Sequence, residues 1–203
     1  MNILIALAGE TKVNIKDIIK NKQIDYIVAV DGGADLLIQN KVQSDIIIGD
    51  FDSITTTNNI NSSNTKIIKL SPQKDETDFE WALNYINKNY QDTQIYVVGF
   101  MSFMRIEHLY ANLKLIKPNI NFLEENTVIK MLLPGKHLTT FPGYISFFAL
   151  EAVKDLTLIN FKYPLNKYEL STKSILCISN ELAKESGTIE FSKGKLLMFT
   201  SQK

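Results

Sequence analysis

Five aspartates, Asp31, Asp50, Asp52, Asp75 and Asp78, fall close together in the chain, and they follow short apolar runs of strand-like composition. Carboxylates gathered at strand ends are what a divalent cation and a polyphosphate require, because oxygen ligands hold the ion and the ion neutralises phosphate charge. The run from Ile24 to Val30 ends in Asp31-Gly32-Gly33. The run from Asp45 to Ile48 ends in Gly49-Asp50-Phe51-Asp52-Ser53, and that from Lys66 to Leu70 leads into Lys74-Asp75-Glu76-Thr77-Asp78. In an open parallel α/β sheet, residues after different strands meet in the crevice beyond the carboxyl ends. Asp50 and Asp52 alternate about Phe51, a spacing that in extended backbone points both side chains to one side. Taken singly, each Asp also fits a turn, and Asp75 or Asp78 also fits a cap on the helix that follows. The joint pattern favours one shared site.

The elements that must position these acids change character near residue 120. Before it, apolar runs at Asn2 to Leu7, Tyr26 to Val30, Ile46 to Ile48, Ile67 to Leu70 and Ile95 to Val98 alternate with helical periodicity. The predicted helices cover Asn14 to Asn21, Ala34 to Gln39, Thr77 to Tyr90 and Glu107 to Ile116. That alternation predicts a mainly parallel sheet with helices packed on it. After Glu124-Glu125-Asn126 the helical period is gone. Val128 to Leu132, Ile145 to Leu150, Leu156 to Phe161, Ile175 to Ile178, Gly187 to Phe191 and Lys195 to Thr200 read as strands separated by turn residues. Their tempo suits an antiparallel β-sandwich. The fold class expected is α/β followed by β, with a catalytic domain over residues 1–123 and a sandwich over 127–203. Residues 54–65 read as a polar loop over the site, Trp81 as core, and His137 as part of a turn.

Composition narrows the partners. The chain has 203 residues and no formal net charge, which argues against a broad nucleic-acid footprint. The single cysteine, Cys177, lies in an apolar run and reads as a buried thiol. The apolar start Met1 to Ala8 lacks the basic lead and the length of a signal peptide, and no apolar stretch is long enough for a membrane span. A cytoplasmic, soluble protein without a membrane or nucleic-acid partner is the expectation.

Several of these segments resemble, in order, the motifs of thiamine pyrophosphokinases. They are Asp31-Gly32-Gly33-Ala34, Gly49-Asp50-Phe51-Asp52-Ser53, Lys74-Asp75-Glu76-Thr77-Asp78 and Arg105-Ile106-Glu107-His108-Leu109-Tyr110-Ala111-Asn112. Phe161-Lys162-Tyr163-Pro164-Leu165 and Ser179-Asn180-Glu181 are similar to the carboxyl-terminal motifs of that family. The resemblance implies a Rossmann-like ATP- and metal-binding catalytic domain and a β-sandwich that binds thiamine and dimerises. It also implies Mg2+-dependent transfer of pyrophosphate from ATP to the thiamine hydroxyl. The five aspartates would form the catalytic set, with Asp50 and Asp52 as first metal ligands, Asp78 and Asp75 next, and Asp31 able either to bind the metal or to orient the hydroxyl. Lys74, Arg105, His108, Asn112, Gly32 and Gly33 would handle the nucleotide, the cations through phosphate and the glycines through close backbone approach. His108 reads equally well as a cap or a packed side chain, and it shares a helix face with Asn112. Tyr163, Ser179, Asn180 and Glu181 would contact thiamine, in a homodimer whose site is shared between subunits.

The chain departs from the family pattern after Gly99, where Phe103 and Met104 replace glycines. Glu107 replaces an aspartate and Asn160 a glycine. Two other readings are a thiamine-binding protein without catalysis and a pyrophosphokinase or phosphohydrolase acting on another alcohol. The first has no need of the acids and Lys74, and the second has no need of the Ser179 to Glu181 motif.

Overall fold

The structure, a computed structural model, describes residues 1–51, 65–102 and 105–203. Asp52, the 54–64 part of the expected polar loop, Phe103 and Met104 lie outside the described residues. The chain forms two compact units, Met1–Glu125 and Asn126–Lys203.

In the first unit, β1 (Asn2–Ala6), β2 (Tyr26–Val30), β3 (Ile46–Gly49), β4 (Lys66–Lys69), β5 (Gln94–Val98) and β6 (Ile120–Glu124) form a sheet in the order β4-β3-β2-β1-β5-β6. All neighbouring pairs are parallel. The central strands are near-continuous apolar runs because helices cover both faces of such a sheet. Leu4, Ala29, Ile47 and Leu123 pack with Ile15 of α1 (Ile15–Asn21) and with Ala34 and Leu37 of α2 (Gly33–Gln39). Phe122 points the other way from Leu123 and meets Phe79 of α3 (Asp78–Asn89) edge-on, with ring centroids 6.1 Å apart. The last helix, α4 (Ile106–Lys114), has no buried residue. Side-chain caps start two helices where the sequence supplies them: Asn14 accepts from Lys16 and Asp17, and Thr77 from Glu80.

In the second unit, β7 (Thr127–Leu132), β8 (Gly135–Thr139), β9 (Tyr144–Ile159), β10 (Leu165–Leu170), β11 (Gly187–Phe191) and β12 (Lys193–Ser201) pair antiparallel in the order β7-β12-β9-β11-β8, with β10 also on β9. Phe147, Leu156, Phe161, Leu170, Ile189 and Leu196 lie in its core.

Three expectations fail here. The runs Ile145 to Leu150 and Leu156 to Phe161 belong largely to one strand, because β12 carries the pairing through the charged residues between them, as in Lys195 opposite Glu151 and Lys193 opposite Lys154. Ile175 to Ile178 is a turn: its one link to a strand among the described backbone bonds is the Cys177 carbonyl accepting from Phe147 N at 3.0 Å, and Ile175, Leu176 and Ile178 are 72%, 57% and 57% exposed while Cys177 alone is buried. His137 sits in β8 opposite Ile189, with its ring stacked on Phe191 at 6.0 Å. Trp81 is half-buried and stacks on Tyr85 at 5.6 Å. Among the described residues no helix is long and apolar enough to cross a membrane.

Candidate active site

Parallel strands bring their carboxyl ends to one edge, and the acids follow from that edge. Asp31 follows β2, Asp50 follows β3, and Asp78 opens α3 after the segment from β4. Asp31 extends the ladder, its N–H donating to Ile48 O at 2.9 Å, and then turns the chain with φ at 46°. Left-handed backbone is open to Asp at modest cost. A Cβ on Gly49 would run into Asp31 Oδ1, so glycine is what lets this carboxylate lie against β3.

The outcome is that one carboxylate oxygen each from Asp31, Asp50 and Asp78 lies within 4.8 Å of the others. At an effective dielectric of about 20, two such charges repel by at least about 3 kcal/mol. A cation must share the space, and Lys74 does. Its Nζ lies 2.6 Å from Asp78 Oδ1 and also donates to Ser71 O at 3.3 Å. The hydrogen bond to Asp78, with the charges of Asp78, Asp50 and Asp31 behind it, holds the Lys74 ammonium above its ordinary value against the opposing effect of desolvation. Three carboxylates and one ammonium leave two negative charges, which suits a divalent ion. Magnesium binds oxygen at about 2.0–2.1 Å in near-octahedral geometry, so its ligand oxygens stand about 2.9 Å apart when adjacent and about 4.2 Å when opposite, and these three oxygens are gathered around a space of that order.

Other predicted residues are placed differently. Asp75 is exposed and outside the three-carboxylate group, and neither it nor Asp78 is the helix cap, since Thr77 has that role. Phe51 has φ of 68°, which is left-handed rather than extended backbone, and the expected common aim of Asp50 and Asp52 involves a residue outside those described. The Phe51 ring packs on the core of the first unit, which offsets a conformation that bulky residues avoid. Gly32 is the residue before α2, and Gly33 has its own reason to be glycine: a Cβ there would strike the Ala6 carbonyl of β1. Arg105 is exposed, and its Nε donates to Glu107 at 3.0 Å. Glu107 is held below the ordinary carboxylate range by its own backbone N–H and then by Arg105. His108 lies 3.9 Å from Glu107 on the exposed start of α4, while Asn112 donates to Phe100 O at 3.4 Å and ties α4 to the segment after β5.

In the second unit, Tyr163 exposes 59% of its surface. Ser179, at φ 54°, donates its N–H to Ser146 Oγ at 2.9 Å. Glu181 receives Lys162 at 3.3 Å and Lys203 at 2.6 Å, and these two, Lys203 first, hold its carboxyl below the ordinary range. The same lysines lie over the rings of Tyr163 and Tyr144, at 5.8 Å and 5.7 Å from the centroids. Lys203, Tyr144 and Gly49 were not foreseen as site residues. Gly49 stands in the sequence as a strand-end glycine opening the Gly49-Asp50-Phe51-Asp52-Ser53 motif, without sign of its contact with Asp31, and nothing in the spacing connects Lys203 or Tyr144 with Glu181.

Residues 17–129 match the family model described as thiamin pyrophosphokinase, catalytic domain. The chain belongs to the thiamine pyrophosphokinase family. A second model of that family, the vitamin B1 binding domain, matches residues 134–196. The thiamine pyrophosphokinase of Bacillus subtilis (strain 168) is 32% identical over 194 residues, 86% of either chain. A crystal structure of thiamine pyrophosphokinase from Bacillus subtilis resembles the whole of this chain at a TM-score of 0.84 and 30% identity, over 99% of its own length. The thiamin pyrophosphokinase of Geobacillus thermodenitrificans gives 0.84 at 29% identity, with 100% and 98% of the two chains covered. The stretch matching the thiamine pyrophosphokinase catalytic domain contains the Asp31, Asp50 and Asp78 group with Lys74, and the vitamin B1 match contains Tyr163 and Ser179 to Glu181.

Proposed function

We propose that this chain is a thiamine pyrophosphokinase, transferring pyrophosphate from ATP to the hydroxyl of thiamine to give thiamine diphosphate and AMP. The observation that carries the proposal is the three-carboxylate group built around Lys74, in a chain that matches both domains of one family in order. The thiamine oxygen attacks the β-phosphorus, the bond from that phosphorus to the α-β bridging oxygen breaks, and AMP leaves. The hydroxyl proton passes to a carboxylate of the group. Asp31, Asp50 and Asp78 would hold magnesium, which would supply positive charge to offset that of the phosphates. Lys74 would leave Asp78 for a phosphate oxygen, and Arg105 would turn from Glu107 to another. Asp52 and Asp75 complete the acid set in this reading, with Gly32, Gly33, His108 and Asn112 lining the nucleotide.

Thiamine combines a cationic thiazolium with an aminopyrimidine, so its site calls for an aromatic face and hydrogen-bonding groups. Tyr163, Ser179 and Glu181 supply these. In the same reading residues 1–123 are a Rossmann-like catalytic domain and 127–203 a β-sandwich. The protein is cytoplasmic and works as a homodimer whose site is shared between subunits. The apolar turn Ile175, Leu176 and Ile178, exposed just before Ser179, supports dimerisation because a second copy would cover it. The test is incubation of purified protein with magnesium, ATP and thiamine, followed by product analysis. Thiamine diphosphate with AMP is expected. ADP with thiamine monophosphate would place the attack at the γ-phosphorus, and no product would end the reading.

A further inference from the structure

The Ser179-Asn180-Glu181 motif reads as three groups that touch thiamine, but Asn180 is otherwise engaged. It is 2% exposed. Its Oδ1 accepts from Tyr163 N at 3.1 Å and from Glu181 N at 2.9 Å, and its Nδ2 donates to Tyr163 O at 2.8 Å. Two N–H groups facing one atom and a carbonyl facing the other fix which is the oxygen. Both lone pairs of Oδ1 are therefore in use.

The reason lies in the ladder around it. Phe161 bridges Leu182 antiparallel, with Lys162 N donating to Glu181 O at 2.8 Å and Ala183 N to Asn160 O at 2.8 Å. Continued in register, that ladder would bring Tyr163 opposite the Asn180 backbone. The Asn180 backbone is already committed elsewhere: its N–H donates to Ile145 O at 3.0 Å and its C=O accepts from Ile145 N at 2.7 Å. Pro164 follows Tyr163 and has no N–H with which to carry pairing onward. The Asn180 side-chain amide takes the place of the missing peptide group and satisfies Tyr163 on both sides. One residue thus joins two segments, Ile145 beside Tyr144 through its backbone and Tyr163 through its side chain.

We propose that Asn180 is a positioning residue, which acts on thiamine only by holding the Tyr163 backbone so that the exposed ring is presented in one orientation. The inference rests on the thiamine-binding reading above. Losing a buried acceptor and donor pair frees the chain at Tyr163, and the cost falls on substrate binding. Asn180→Ala should raise the KM for thiamine about tenfold, leave the KM for ATP in place, and change kcat little.

The deciding measurement is a double-mutant cycle. In a Tyr163→Ala background, Asn180→Ala should add nothing further to the KM for thiamine. Additive losses in the double variant would mean that Asn180 acts on thiamine by a route other than Tyr163, through Glu181 or by direct contact, and would overturn the proposal, and an unaltered KM in the single variant would remove its role altogether. Should Asn180→Ala fail to fold, Asn180→Asp keeps the acceptor, sets a carboxyl oxygen against Tyr163 O in place of the donor, and enters the same cycle. Amide hydrogen exchange without substrate tests the clasp separately from the reaction: the Tyr163 N–H should be protected in the parent chain and lose protection in Asn180→Ala, and retained protection overturns the clasp. A parent chain that turns over no thiamine would defeat the functional reading while leaving this exchange result intact.

Discussion

Gly49 and Asp31 show how narrow the tolerances of the acid group are. Only hydrogen fits at the Gly49 α-carbon where the Asp31 carboxylate lies, so Gly49→Ala should displace that oxygen and weaken divalent-ion binding, measured by calorimetry, while leaving the first-unit core intact. Asp50→Asn or Asp78→Asn removes one of three crowded charges. Turnover should fall by about a hundredfold or more in either, and the thermal midpoint of Asp50→Asn should hold or rise because like-charge repulsion is relieved, whereas Asp78→Asn also gives up the pair with Lys74. A variant that kept near-normal turnover would make that aspartate a bystander. Lys74→Met removes the resident cation: ion affinity without nucleotide should increase while the KM for ATP rises. A weaker ion affinity would mean that Lys74 helps to build the site rather than share it. The sequence made the acids legible through their strand-end placement, but Lys74 read only as a phosphate contact. Its pairing with Asp78 depends on the turn between β4 and α3, where spacing alone does not say which way a flexible side chain folds.

At the scale of elements, legibility followed burial. The parallel strands were visible because strands covered on both faces become uninterrupted apolar runs, as in Ile3 to Ala6 and Ile46 to Ile48. The antiparallel half was less so. β8 and β10 are polar enough to resemble connections, since Lys136, Lys167 and Glu169 face water, and β6 is a short run at the boundary where the pattern changes. The turn at Ile175 misled in the opposite direction, its apolar content answering to exposure rather than pairing. The segment that follows ends in Glu181, whose two lysines make it sensitive to acid. A carboxyl held low when folded contributes stability above its ordinary range, and loses it as pH falls through the depressed value. The carbon-13 titration of Glu181 should therefore show a midpoint below the usual glutamate value of about 4.3, and Lys203→Ala should raise it. An unchanged midpoint in that variant would mean that Lys203 does not reach Glu181 in solution.

At the scale of the whole molecule, each compact unit has its own core and matches its own family domain. The zero net charge gives no general attraction to polyanions, so affinity for a nucleotide must come from a few placed groups. If a second copy covers the 175–178 turn, Leu176→Asp with Ile178→Asp should convert dimer to monomer in sedimentation velocity and lower activity with it. A dimer that survives both changes would put the interface elsewhere. Lys74 carries a further consequence for the complete molecule. A single ammonium cannot serve the carboxylates and a phosphate together, so whatever draws it from one favours occupation of the other. Binding free energies are reciprocal, and the factor by which the divalent ion raises nucleotide affinity through Lys74 equals the factor by which nucleotide raises ion affinity. The chain would then hold each weakly alone and both firmly together, a thermodynamic preference for the ion-nucleotide pair set by one side chain.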